Sequence, residues 1–259
     1  MSNVLIVTSI QADLVWEDAA KNRANFENKI TSLKEKTDLI VLPEMFTTGF
    51  AMQPENLAET MNGNTVSWML KMAKENNSAI CGSIIILEDE KYYNRFLFVT
   101  PSGEIHQYNK RHLFSLAGEH ERYQNDNKQV IINYKDWKIC PLVCYDLRFP
   151  VWSRNTSNYD VLIYVANWPK PRITAWNTLL KARSIEDMTY VIGVNRVGTD
   201  ANGHEYTGNS IVLDELGGEM TPLAENSEAI LTTTLSKEKL VASRNKLNFL
   251  SDQDDFEIK

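Results

Sequence analysis

The 259-residue chain reads as an α/β protein of mixed sheets, with two sheets stacked and helices on their outer faces. Three observations predict this. Short β-branched runs recur from Val4 to the segment at 229–234. Only some are followed by amphipathic stretches of helical period, which suit parallel crossovers. Others are joined by tight turns such as Pro101-Ser102-Gly103, which suit antiparallel hairpins. No linker, repeat or low-complexity stretch intervenes, so residues 1–259 are expected to form one domain, with about 250–259 as a C-terminal tail.

In chain order, Val4 to Ile10 reads as a strand. Residues 17 to 36 read as a helix with Phe26, Ile30 and Leu33 on one stripe. Asp38 to Pro43 is a buried strand ending at Glu44, and Met45 to Gly63 is irregular, broken by Gly49, Pro54 and Gly63. Thr65 is the expected cap of the next helix, whose stripe is Val66, Met69, Leu70 and Ala73. Ala79 to Leu87 is a long strand. Tyr93 to Thr100 and Glu104 to Asn109 form a hairpin that feeds into Lys110. A polar loop from Arg111 to Asn127 precedes strands at 129–134 and 137–143, and a short helical piece follows Cys144. Strands at 160–166, 190–197, 209–213 and 229–234, and helices near 173–188 and 236–247, complete the pattern.

Composition narrows the function. A formal charge of −7, with Lys and Arg scattered, makes no electrostatic case for nucleic acid or an anionic membrane surface. No run approaches the ~18 apolar residues of a membrane span. Cys81, Cys140 and Cys144 make an odd number without disulfide-like spacing. The chain also enters a strand-like run at once, with no room for a signal peptide, and both features point to a reducing, cytoplasmic compartment.

The chemistry centres on residues 137–150. An apolar run reaches Val143, passes into Cys144 and turns polar at Asp146 and Arg148. A side chain where a buried strand gives way to a turn is held rigidly yet faces outward, which suits a nucleophile. A free cysteine is most often a small buried hydrophobe, so its companions decide. Glu44 and Lys110 also stand where apolar strands end. A carboxylate can serve a thiol as base, and a cation can meet the negative charge that develops. A Cys–His pair using His112 or His120, or a metal site from His106, His112 and His120, has weaker support, because no ligand spacing stands out.

The segments Leu-Pro-Glu-Met-Phe (42–46), Tyr-Asn-Lys-Arg-His-Leu-Phe (108–114) and Cys-Tyr-Asp-Leu-Arg-Phe-Pro (144–150) resemble the nitrilase superfamily of carbon–nitrogen hydrolases. So do Lys-Ala-Arg-Ser-Ile-Glu-Asp (181–187) and Tyr-Val-Ile-Gly-Val-Asn-Arg-Val-Gly (190–198), all in the family's order. The resemblance implies a four-layer α-β-β-α sandwich and an amidase using Cys144 as nucleophile, Glu44 as general base and Lys110 as oxyanion donor. It makes Glu119 a second glutamate, with Glu121 close enough to be the alternative, and the backbone N–H of Tyr145 a second oxyanion donor. It requires no metal or organic cofactor.

Glu-Met-Phe-Thr-Thr-Gly-Phe (44–50) and Ala-Asn-Trp-Pro (166–169), followed by Arg172 and Trp176, look most like the ω-amidase branch, which acts on 2-oxoglutaramate and 2-oxosuccinamate. On that basis Phe46, Phe149 and Trp168 are expected to wall the pocket. Arg172, ahead of Arg148, is expected to hold a substrate carboxylate, with Arg183 structural. The resemblance also implies a homodimer packed through segments near 148–156 and 173–188, with Trp152 and Trp176 in the interface.

Overall fold

A computed structural model describes residues 3–258; Met1, Ser2 and the tail's last residue, Lys259, lie outside the described residues. Among the described residues thirteen strands form two sheets. The first contains β1 (Val4–Gln11), β2 (Leu39–Val41), β3 (Ala79–Glu88), β4 (Lys91–Val99), β5 (Ile105–Asn109) and β13 (Ala229–Ser236), in the order β13-β1-β2-β3-β4-β5. The second contains β6 (Ile132–Tyr134), β7 (Trp137–Val143), β8 (Val161–Val165), β9 (Tyr190–Val194), β10 (Val197–Thr199), β11 (Glu205–Leu213) and β12 (Ala224–Glu225). Its order is β10-β11-β9-β8-β7-β6, with β12 paired to β11. Each sheet has three parallel strands, β1-β2-β3 and β7-β8-β9, flanked by antiparallel ones.

The layers follow from the two-residue period of the strands. Leu39 and Val41 of β2 face the second sheet, in a core shared with Phe96, Phe98, Ile139 and Val161. Ile40 between them faces outward, against α1 (Ala19–Thr31) and α2 (Asn64–Asn76) through Phe26, Ile30, Met69 and Met72. On the second sheet's outer face lie α5 (Ile173–Glu186) and α6 (Lys237–Leu247). Two short helices, α3 (Glu119–Arg122) and α4 (Pro150–Ser153), sit in the loops. Gly193 of β9 lets α5 approach, since a Cβ there would lie 2.5 Å from Leu180. Gln11, at the end of β1, ties the sheets together: its side-chain oxygen accepts from the Ser210 N–H at 3.0 Å and its amide donates to the Ser227 carbonyl at 2.8 Å.

Several boundaries differ from the sequence expectations. The first helix runs only from Ala19 to Thr31, because Asp18 caps it by accepting the Lys21 N–H at 3.0 Å. At the far end the Thr31 and Ser32 hydroxyls turn back onto the helix's own carbonyls. Gly63, not Thr65, is the cap of α2; Thr65 lies inside the first turn and donates to Glu59 instead. The loop at 111–127 contains a 3-10 turn at Ser115–Ala117 and then α3.

Candidate active site

Three chain segments end at one place, beyond the carboxyl ends of the parallel strands, where α/β sheets commonly bind ligands. After β2 the chain turns at Glu44-Met45, and Met45 takes a left-handed φ of 42°. After β7 it turns at Cys144, with φ 45°. Such values are uncommon outside glycine and are held only where the surroundings over-determine them. Here they do. The buried Asp146 carboxylate accepts from the Val143 N–H at 3.0 Å, the Tyr108 hydroxyl at 2.8 Å, and the backbone N–H of His112 at 3.0 Å. The His112 ring stacks on Phe149 at 3.7 Å, with its Nδ1 2.8 Å from Asp146. Arg183, from α5, donates to the Leu147 carbonyl at 2.8 Å. The turn carrying Cys144 is thus pinned from both sides.

Glu44, Lys110 and Glu119 are fully buried together. The Lys110 ammonium donates to Glu44 Oε1 at 2.9 Å and to both oxygens of Glu119, at 3.0 and 2.9 Å. Asn94 of β4 donates to Glu44 at 2.8 Å and to Glu119 at 3.2 Å. The backbone N–H of Asn167, just past β8, donates to the other Glu44 oxygen at 2.8 Å, while its side chain holds the Glu44 carbonyl at 2.7 Å. Glu121, by contrast, is exposed.

The electrostatics follow from burial. Desolvation opposes the Lys110 charge, but the Glu119 and Glu44 carboxylates outweigh it and raise its pKa above the ordinary lysine range. Burial raises the Glu119 pKa, with Lys110 pulling the other way. Burial and then the Glu44 charge push the Cys144 thiol well above the usual range, against the pull of Lys110. Both influences favour the protonated sulfur, which stands beside Glu44. That arrangement can transfer a proton as the sulfur attacks, without a standing thiolate.

Cys144 is half-buried and opens into a pocket of about 70 Å³, whereas Cys81 and Cys140 are buried elsewhere in the core. The pocket is lined by Phe50, Phe114, Tyr145, Trp168 and Tyr206, with Arg148, Arg172 and His204 supplying basic groups and no carboxylate in the lining. Arg148 lies over the Trp168 ring at 5.0 Å and Arg172 over Phe114 at 5.0 Å. Among the described residues neither guanidinium has an ion pair, unlike Arg183, which pairs with Glu186.

Several expected residues stand elsewhere. Phe46 does not wall the pocket: the Met45 turn sends it under the first sheet, where it packs on Phe26 and Trp68. Phe149 lies behind Tyr145 and stacks on His112, so it supports the turn rather than lining the cavity. Trp168, Arg172 and Arg148 do line the pocket, and Asp146 and Arg183 brace the loop. Trp152 and Trp176 are both buried within the chain, donating to the Tyr108 hydroxyl and the Asn209 carbonyl, so neither has a face to offer a partner. The histidines weighed as a metal site are dispersed: His106 pairs with Glu104 and His112 with Asp146.

The arrangement is that of a cysteine hydrolase with a carboxylate and an ammonium at the sulfur, and comparison with known proteins gives the family. The family model for carbon–nitrogen hydrolases matches residues 6–245. The chain belongs to that family, within the nitrilase superfamily, and is an enzyme acting on carbon–nitrogen bonds. Among its relatives, an "Omega-amidase YafV" of Yersinia enterocolitica is 45% identical over 98% of both chains. A "2-oxoglutaramate amidase" of Bacillus subtilis is 31% identical over 82% of this chain and 83% of that one. The crystal structure of a Xanthomonas campestris protein of the superfamily, with an arsenic adduct in its active site, superposes with a TM-score of 0.97 at 38% identity over the whole of both chains.

Proposed function

We propose that this amidase hydrolyses the distal carboxamide of short 2-oxo dicarboxylic acid monoamides, 2-oxoglutaramate and 2-oxosuccinamate foremost, to the acid and ammonia. The carrying observation is that one small cavity holds the Cys144 thiol and two guanidiniums without ion-pair partners among the described residues, with no carboxylate in its lining. The names of the relatives support the same choice.

Glu44 takes the thiol proton as Cys144 Sγ attacks the amide carbon. The tetrahedral oxyanion is met by the Lys110 charge and the Tyr145 N–H. The C–N bond breaks, Glu44 returns its proton to the nitrogen, and ammonia leaves a thioester on Cys144. Water, deprotonated by Glu44, then attacks the thioester and releases the carboxylic acid and the thiol. Glu119 holds the Lys110 ammonium in place throughout, and the chemistry draws on no metal or organic cofactor.

Arg172 grips the substrate carboxylate through a paired hydrogen bond, with Trp168 as a wall and Arg148 as the second cation. Holding that end sets the distance from the distal amide to the sulfur. An α-ammonium group, as in glutamine, finds no acidic partner in this lining, so the oxo acid is preferred.

An ammonia-release screen over 2-oxoglutaramate, 2-oxosuccinamate, L-glutamine, propionamide, a nitrile and an N-carbamoyl amino acid tests the reading. Faster turnover of the nitrile or carbamoyl compound than of 2-oxoglutaramate would overturn the substrate assignment and leave only the Cys–Glu–Lys hydrolase. A mechanism resting on a free thiol suits the cytoplasm. We also retain the homodimer, now resting on Val151 and Ile185, which are exposed on α4 and α5. Light scattering should give about twice the 29.6 kDa chain mass, and a fully active monomer would remove it.

A further inference from the structure

Phe114 is not one of the residues that carry the chemistry above, yet it touches three parts of the site at once. Its backbone N–H donates to Glu119 Oε2 at 2.5 Å, and its carbonyl accepts from the Ala117 and Glu119 N–H groups at 3.1 and 3.3 Å. Residues 114–119 are thereby closed into a small ring, tied through Glu119 to the Lys110 ammonium. Its side chain lines the pocket and lies under the Arg172 guanidinium at 5.0 Å. The same ring meets Tyr145, the neighbour of the nucleophile, at 4.9 Å between centroids and 63° between planes.

A guanidinium without an ion-pair partner, on a long flexible side chain, has little else to fix its direction, and an aromatic face supplies both contact and attraction. We propose that Phe114 is a positioning residue: its ring fixes where Arg172 holds the substrate carboxylate, and its backbone locks that point to the Glu119–Lys110 pair. This rests on Arg172 being the carboxylate ligand. The distance from carboxylate grip to oxyanion site is then set by one residue, and with it the length of acyl chain that reaches Cys144 in register. Loss of the ring leaves the carboxylate bound but the amide misplaced, a fault that appears in kcat rather than KM.

The test is steady-state kinetics of wild type, Phe114→Leu, Phe114→Tyr and Arg172→Ala on 2-oxoglutaramate and propionamide. Phe114→Leu keeps the backbone N–H to Glu119 and removes only the ring. Its kcat on 2-oxoglutaramate should fall at least about tenfold more than its kcat on propionamide, with KM for the oxo acid changed less than about threefold. Phe114→Tyr, which keeps the ring, should restore the ratio of the two kcat values to within about threefold of wild type. Equal losses on both substrates, or none, would overturn the proposal. Should Phe114→Leu fail to fold, Phe114→Met fills a similar volume without a ring and carries the same comparison. Arg172→Ala separates the two readings. If it does not raise KM for the oxo acid selectively, the carboxylate assignment has failed. If it does, and the Phe114 variants show no kcat split, only the positioning role has failed.

Discussion

The floor and the mouth of the pocket are built on opposite plans. On the floor, beneath the side chains that line the cavity, Glu44 and Lys110 past strand ends and Glu119 at the start of α3 are wholly buried and joined by hydrogen bonds to one another, to Asn94 and to Asn167. At the mouth, Arg148 and Arg172 end short 3-10 turns and His204 comes from a loop; all three stay at least partly accessible and lack ion-pair partners among the described residues. In the proposed mechanism the floor presents a fixed charge pattern to a developing oxyanion, and its hydrogen bonds remove the freedom to reorganise. In the proposed reading the mouth loses water to a ligand, which cations without ion-pair partners are free to meet. Chemistry and recognition therefore respond differently to mutation.

The largest break comes from the floor. Cys144→Ala should reduce ammonia release by about four orders of magnitude or more while the thermal midpoint stays within a few degrees, because no large core group is removed. Cys81→Ala and Cys140→Ala should stay active at a packing cost of ~1 kcal/mol or a little more. Next comes Lys110→Met, which strands two buried carboxylates without their cation. Urea denaturation should show a loss of about 3–5 kcal/mol together with loss of activity. A loss below about 1 kcal/mol would mean that the floor is less rigid than its hydrogen bonds imply.

The mouth should break more gently. Arg172→Ala is expected to raise KM for 2-oxoglutaramate by about 10–100-fold, the worth of a charged hydrogen-bonded pair, and for propionamide only a few-fold. Equal losses would move the carboxylate role to Arg148. A spectroscopic difference sharpens the floor itself. The thiol pKa is raised by burial and by the Glu44 charge, so the thiolate absorbance assigned by difference from Cys144→Ala should develop only at higher pH than that of an ordinary cysteine. A thiolate already present at neutral pH would instead indicate a standing ion pair with Lys110. The smallest effect belongs to Phe46→Leu, with about 1 kcal/mol of stability lost and KM unchanged, since the ring packs beneath the first sheet and away from the cavity.

How much of this the sequence disclosed divides along the same line. Glu44, Lys110 and Cys144 each follow an apolar strand, a pattern that local sequence carries, and their motifs resemble one family. Both stacked sheets were legible for the same reason. The partners that fix the floor were not. Asn94 and Asn167 lie 50 and 123 residues from Glu44, and an asparagine at a strand or strand end has no signature of its own. Asp146 looked like ordinary turn polarity until it met Tyr108 and His112. The mouth was read least well. Phe46 and Phe149 stood beside functional residues in sequence, but the left-handed turn after Glu44 and the His112 stack carried them off. The walls come instead from Phe50, Phe114 and Tyr206, in three separate segments. The chain direction at a left-handed residue is a tertiary outcome.

The pairing of β1 with β13, in register from Val4 against Ser236 to Gln11 against Ala229, has a consequence for how the enzyme comes into being. A nascent chain exposes β1 long before β13, and that strand's second edge has no partner until β13 has been made. Contacts so distant in sequence close late and slowly. Until then β1 carries an open edge, an invitation to pair with other chains. Shortening the chain before β13 should therefore yield aggregation rather than a smaller active enzyme. The first sheet is complete only when β13 closes on β1.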